Sequence, residues 1–364
     1  MTGFIREDTF WPVGVGLTGK RTTIADLARL ARVSKSAVSL ALNNKPGVSQ
    51  QTRDRIMKLV GEQGYTHRSM VRMHEPARKH IRFVTCLKDD LISAQYSTSS
   101  FFGELIHGLE AALQESGYTL IFCTVRRESL RDTITRMEGE HPTEGIVLLG
   151  TNLTPTEIQD VLRLQRSLVV LDTYYDIVEA NFIVMNNHMG AYQAGAYLCR
   201  LGHRRIGYAR SITRVHNFDE RRLGFLRALQ EAQVRLEERD VFNVDTDVEL
   251  AEQQFDGYIS DRGRDFPSAI FCESDYIAIG VVKALQARGL KVPDDISIVG
   301  FDDVPESVIV TPRLTTVHVE KAKLGQMAAQ RLVAMGRDRD RSRIKIIIDT
   351  SLVERDSCSS PKLE

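Results

Sequence analysis

Long apolar runs are missing from this 364-residue chain. No stretch approaches the roughly 18 residues of a membrane-spanning helix, so no membrane partner is expected. Cysteine is scarce: Cys86, Cys123, Cys199, Cys272 and Cys358 form no CxxC pair and share no metal-ligand spacing. That excludes a disulfide or zinc framework and fits a reducing compartment. Residues 1–20 have no apolar core of signal-peptide length and carry Arg6, Glu7 and Asp8 early, so a cytoplasmic protein is expected. The nine histidines fall in no HExxH pattern, and GxSxG is missing. No catalytic residue, metal or cofactor is therefore expected, and the chain does not read as an enzyme. Residues 14–20, GVGLTGK, match the first seven positions of a phosphate-binding loop. Arg21 then stands where a magnesium-binding hydroxyl is needed, and Pro12 interrupts the nearest strand candidate, so a nucleotide site is rejected.

Net charge is also lacking, but only in the sum. Residues 20–80 carry 13 Lys and Arg against 4 Asp and Glu, while residues 81–364 carry 34 against 42. A basic module on an acidic body points to a polyanion partner for the module alone.

Within that module, residues 23–43 read TIADLARLARVSKSAVSLALN. Thr23 with Asp26 three residues on is a helix start of the capping-box type, with Asp in place of Glu. Ser34 caps a second helix in the same way. At about 100° per residue, Ala37, Val38, Ala41 and Leu42 share one arc of that helix, and Lys35, Ser36, Ser39 and Leu40 the other. One arc suits a core and the other a groove, which is the layout of a helix-turn-helix. Pro46-Gly47 marks a loop, Ser49 caps a third helix with Ile56, Leu59, Val60 and Gln63 on one face, and Gly64 is its expected stop.

From residue 81 the texture alternates. Strand candidates lie at 81–87, 118–125, 145–150, 167–172, 181–186, 205–210, 268–274 and 296–302, with helical stretches between most of them. This rhythm predicts parallel sheets covered by helices. About 280 residues exceeds one small sheet, so two lobes with a ligand cleft at the strand C-termini are expected. The expected divisions are an extension at 1–20, a helix-turn-helix domain at 21–66, a hinge at 67–80, a two-lobed core at 81–355 and a tail at 356–364.

Several separated blocks carry a family resemblance: residues 23–65, LGHRRIGYA at 201–209, ERRLGF at 220–225, residues 274–303 ending ISIVGFDD, and PRLTTV at 312–317. In this order they resemble the LacI/GalR family of bacterial transcription regulators over residues 22–355. The resemblance implies an α/β protein: an N-terminal three-helix helix-turn-helix head, a hinge, and a two-lobed periplasmic-binding-protein-like core with parallel sheets.

By the same resemblance, Lys35, Ser36 and Leu40 would read bases, with Ser34, Ser39, Asn43, Thr52 and Arg53 as phosphate positioners. Leu40 departs from the arginine common at its position and offers only an apolar contact. Arg32 stands at a turn position usually held by glycine, where a positive φ is costly. The hinge lacks the usual Pro-Asn, which is His67-Arg68 in this chain. His74 stands where a leucine would wedge into the minor groove, with Met73 as its apolar neighbour.

In the core, Arg221, Asp302 and Asp172 would line the cleft and bind ligand oxygens. Phe101, Phe102 and Tyr276 are stacking candidates, with core packing the alternative for one of the phenylalanines. Ser274 replaces a common asparagine, and Asp275 follows it. Arg210, Arg214 and Arg222 add cations near Arg221, which leaves an anionic effector open. The resulting expectation is a homodimeric repressor of carbohydrate genes, bound to a pseudo-palindromic double-stranded operator and controlled by a small-molecule effector such as a sugar. The alternatives are a solute-binding protein without DNA regulation, or a regulator responding to a purine or anionic metabolite.

Overall fold

The computed structural model describes residues 22–43, 45–63, 65, 79–87, 100–263 and 265–362. It divides into two units, residues 1–78 and 79–364.

In the first unit, α1 (Ile24–Ala31) starts at a complete capping box. The Asp26 carboxylate accepts from the Thr23 N–H at 3.0 Å, and the Thr23 hydroxyl accepts from the Asp26 N–H at 3.3 Å. Helix α2 (Lys35–Leu42) is capped by Ser34 and α3 (Gln50–Glu62) by Ser49. Leu27, Ala31, Val38, Leu42, Ile56 and Val60 pack into one small core. Val38, Ala41 and Leu42 of the apolar arc are buried as expected, and Ala37 is half-buried. Gly64 lies outside the described residues.

The turn from α1 to α2 passes through Arg32 at φ 53°, ψ 47°. A left-handed conformation costs an L-residue roughly 1–2 kcal/mol, a strain glycine avoids. Arg32→Gly is therefore expected to stabilise the turn by about 1 kcal/mol. Hydrogen exchange on the full chain checks this, through higher protection of the α1 and α2 amides.

The second unit begins with β1 (Lys79–Leu87). Lys79 and His80, read above as the end of a hinge, are already paired with Tyr118 and Thr119. The chain then runs through α4 (Ser100–Glu115), β2 (Tyr118–Arg126), α5 (Leu130–Glu140), β3 (Gly145–Leu149), α6 (Pro155–Leu164), β4 (Leu168–Leu171), β5 (Asn181–Met185) and α7 (Asn187–Arg200). A second series follows: β6 (Ile206–Ser211), α8 (His216–Glu231), β7 (Val241–Val244), α9 (Val248–Arg262), β8 (Ala269–Cys272), α10 (Asp275–Ala287) and β9 (Ser297–Val299). The last elements are β10 (Thr316–His318), α11 (Lys321–Arg337), β11 (Lys345–Ile348) and β12 (Ser351–Val353).

Two parallel sheets result, in the orders β11-β5-β4-β3-β1-β2 and β7-β6-β8-β9. Inner strands include continuous apolar runs such as GIVLL and AIFC, buried throughout, as helices on both faces require, whereas the edge strands β2 and β11 are partly exposed. The chain crosses between the sheets more than once. After β9 it returns through α11 to place β11 on the edge of the first sheet, and β12 then pairs with β10. Helix α11 packs on α4 at a spacing that only glycine permits: a Cβ at Gly108 would lie 2.1 Å from the Ala322 carbonyl oxygen, and one at Gly325 2.0 Å from that of Leu105.

The segment read as a C-terminal tail is instead part of this unit as far as residue 362. Ser357 is fully buried, its hydroxyl donates to the Ile298 carbonyl at 2.6 Å, and its own carbonyl accepts from the Ile298 N–H at 2.8 Å. Residues around 357 thus satisfy the outer edge of β9, a burial that the polar run SCSSP conceals. Among the described residues no helix is long and apolar enough to cross a membrane.

Candidate functional site

On the head, Lys35 and Ser36 are exposed at the start of α2. Both side chains are available to a groove, and neither has a partner among the described residues. The other positions are partly committed. The Ser34 hydroxyl accepts from the Ala37 N–H at 3.1 Å. Asn43 donates to the Ser39 carbonyl at 2.8 Å, and the Thr52 hydroxyl lies 2.8 Å from that of Ser49. Leu40 is half-buried, with its Cδ1 3.1 Å from where a Cβ on Gly47 would stand. Arg53 is the most committed of these side chains. Its guanidinium donates to the carbonyls of Ala41 at 3.0 Å, Leu40 at 3.5 Å and Lys45 at 2.7 Å. It therefore holds the C-terminal end of α2 against α3, satisfying carbonyls that have no partner within the helix. Met73 and His74, the wedge candidates, lie outside the described residues, as does the rest of the proposed hinge before Lys79.

In the second unit, side chains gather at the C-terminal ends of strands from both parallel sheets. Asp172 follows β4, Asn187 opens α7, Asn217 and Arg221 lie one turn apart on α8, Glu273 follows β8, and Asp302 comes after β9. Arg221 organises them. Its Nε donates to Asn187 at 2.9 Å, Nη1 to the Glu273 carbonyl at 2.5 Å and Nη2 to Asp302 at 3.0 Å. The guanidinium also sits 3.7 Å from the centroid of the Phe301 ring. Arg221 and Asp302 side chains are only 4% and 13% exposed, so the pair is held in a low-dielectric setting.

Asp172 extends the network. It accepts from the Thr151 hydroxyl, and Asn217 donates to its side chain at 3.0 Å and its carbonyl at 2.9 Å. Asp172 interacts electrostatically with both Arg221 and Asp302. Burial pushes the Asp172 carboxyl up to about 6, against the opposing Thr151 hydrogen bond and Arg221 charge. Burial also raises Asp302, with Arg221 opposing. The structure thus brings Arg221, Asp302 and Asp172 together. The Asn217 Oδ1 is buried with no partner among the described residues, an acceptor suited to a ligand hydroxyl.

Other expected positions fall elsewhere. Asp275 is fully buried, accepting from the Thr316 hydroxyl at 2.5 Å and the Val304 N–H at 2.9 Å. A Cβ on Gly300 would lie 2.2 Å from its Oδ1. Asp275 therefore clamps the chain that follows β9, with both carboxylate oxygens engaged within the protein. Ser274 is buried and caps α10, accepting from the Ile277 N–H at 3.3 Å. Phe101 is 7% exposed and belongs to the core, with Phe102 edge-on to it at 5.1 Å. The Tyr276 hydroxyl lies 3.2 Å from that of Ser100, which donates to Glu306 at 2.9 Å.

Arg214 adds no free cation to the cleft. It is paired with Glu273 and Asp219, both at 2.7 Å. Asn187, Asn217, Thr151 and Glu273 were missed from the sequence. Asn217 had a usable signal, since it stands four residues before Arg221 on the same helix face; the others are brought in by long-range folding.

Comparison with known proteins bears on this geometry. Residues 23–67 match the family model of bacterial regulatory proteins of the lacI family, and residues 196–358 match that of the periplasmic binding protein-like domain. The chain is 32% identical over 339 residues to the HTH-type transcriptional repressor PurR of Vibrio cholerae, covering 92% of this chain and 97% of that one. It is 29% identical over 344 residues to the ribose operon repressor of Haemophilus influenzae, covering 93% and 99%. A lac repressor dimer bound to operator and the anti-inducer ONPF shares the fold, with a TM-score of 0.69 at 21% identity over 93% of this chain and 100% of that one. The chain belongs to the lacI family of bacterial regulatory proteins, which are DNA-binding transcriptional repressors and not enzymes.

Proposed function

We propose that this protein is a cytoplasmic homodimer that represses carbohydrate-utilisation genes, and that a sugar or sugar derivative in the cleft controls its grip on a pseudo-palindromic operator. The observation that carries the sugar reading is the cleft constellation. Arg221 offers donors, and Asp172 and Asp302 accept. The unpartnered Asn217 Oδ1 adds a further acceptor. Fixed donors and acceptors in alternation suit a polyhydroxylated ligand. The likeness to a ribose operon repressor supports the same reading. In the head, Lys35 and Ser36 meet base edges in the major groove, and residues 67–78 serve as the hinge.

A flat heteroaromatic effector is the second reading. His216, beside Asn217, lies between the rings of Tyr174 and Tyr175 at 5.4 and 5.3 Å, and its Nε2 is buried without a partner among the described residues. A thermal-shift screen of sugars, sugar derivatives and purines on the full chain separates the two. The sugar reading expects a sugar to raise the melting temperature in proportion to the logarithm of its concentration. A response to purines alone would replace it with the second reading.

A further inference from the structure

Arg221 and Arg222 are neighbours on α8, but at about 100° per residue they leave the helix in different directions. Arg221 joins the cleft network. Arg222 instead lines a separate open groove of about 440 Å³ with Arg210 of β6 and Arg235, over the apolar Leu226 and Leu236. Glu238 is the one carboxylate in this lining. The cations read from the sequence as neighbours of the cleft thus belong elsewhere.

These three arginines differ from those around them. Arg205, Arg214, Arg227 and Arg239 all hold carboxylates. Arg210, Arg222 and Arg235 form no ion pair among the described residues. Arg210 is oriented by its Nε donating to Asn243 at 2.6 Å, which leaves both Nη groups without a partner. The Arg222 Nε is buried with no hydrogen-bond partner among the described residues, and a buried donor on a charged group calls for an acceptor.

We propose that this groove is a second ligand site, distinct from the effector cleft, which takes a phosphate-bearing small molecule. Three guanidinium forks against one carboxylate leave a charge of about +2, and planar forks match phosphate oxygens in paired hydrogen bonds. The volume falls in the range of small-molecule sites, and the leucines provide a floor for the part of the ligand beyond the phosphate. Because α8 carries Arg221 into the cleft and Arg222 into the groove, an anion in the groove bears on the same helix that the effector does.

Isothermal titration of the full chain with inorganic phosphate and with pyrophosphate, at constant ionic strength, tests the site. Pyrophosphate is expected to bind more tightly than phosphate. Arg222→Gln and the exposed Arg235→Gln should each weaken it at least about tenfold, the scale of losing one charged hydrogen bond. Glu238→Gln should tighten it. If wild type binds no pyrophosphate, or if folded Arg222→Gln and Arg235→Gln both bind as wild type does, the proposal fails. It also fails if Arg221→Lys alone abolishes binding, since the anion then sits in the cleft. Should Arg222→Gln not fold, Arg235→Gln and Glu238→Gln decide the matter.

Discussion

Replacing Arg221 with alanine is expected to cost about 3–5 kcal/mol of stability and to abolish the response to effector. The guanidinium ties Asn187, the Glu273 carbonyl and Asp302 together and covers the Phe301 ring. Its removal leaves Asp302 buried without its cation, together with an orphaned carbonyl and amide. The cost comes from these uncompensated groups rather than from the lost ion pair alone, because a buried pair is offset by the desolvation of both charges. Arg221→Lys should recover part of the stability, since it keeps the charge, but not the effector response, since one ammonium cannot reproduce the fork. Urea denaturation measures the first effect and thermal shift with the identified ligand the second. A stability change below about 1 kcal/mol, the level of an exposed pair, would show that the network is not held as described.

Asp172→Asn is expected to act in the opposite direction on stability. The carboxyl moves from an ordinary value of 3.8 to about 6 on folding, because burial penalises its charge. A carboxyl raised in this way gives its full relative stability below pH 3.8 and loses it as pH rises through 6, because over that window the folded state binds more protons than the unfolded one. A shift of about two pH units corresponds to roughly 3 kcal/mol. Asparagine keeps the acceptor for Asn217, turns an N–H to the Thr151 oxygen, and tolerates the φ of 64° at this position. At pH 8 the variant should therefore be more stable than wild type by up to about 3 kcal/mol, and the wild-type fall in stability between pH 4 and 6 should flatten. Urea midpoints across that range check the prediction. Effector affinity should fall at the same time if Asp172 receives ligand hydroxyls, a trade of stability for binding common at functional sites.

Local chemistry was readable in advance where it depends on neighbours in sequence. The Thr23–Asp26 box, the caps at Ser34 and Ser49 and the arc of Val38, Ala41 and Leu42 follow from spacings of three and four residues. The strained turn was expected from the family resemblance alone, and Arg32 takes the conformation that glycine favours. Each of the eight strand candidates contains a strand, even where, as in β4, β8 and β9, only three or four residues pair. The strands that were not visible are set among polar and charged residues: β7 lies between Asp240 and Asp245, β11 follows a run of charges, and β10 and β12 begin at Thr316 and Ser351. Helix α11 was overlooked although Leu324, Ala328 and Leu332 repeat at four residues.

At the site, the family resemblance pointed to the cleft residues but could not assign directions to their neighbours. Asp275 looks like a ligand carboxylate until Thr316 and Val304, distant in sequence, are seen to occupy its oxygens. Arg53 looks like a phosphate contact until three carbonyls claim it. Arg221 and Arg222 differ by one residue and face different pockets. Each of these assignments rests on long-range packing, which periodicity does not encode.

A ligand in the Arg221–Asp302 cleft is expected to control operator binding by the head. Fluorescence anisotropy of the full chain on labelled DNA from its own upstream region, with and without the ligand found by thermal shift, tests it most directly. Binding should be sequence-selective, fall steeply with salt, weaken by about 1–3 kcal/mol in Lys35→Ala, and change on adding ligand in wild type but not in Arg221→Lys. A ligand that stabilises the protein yet leaves operator affinity unchanged in wild type would contradict it.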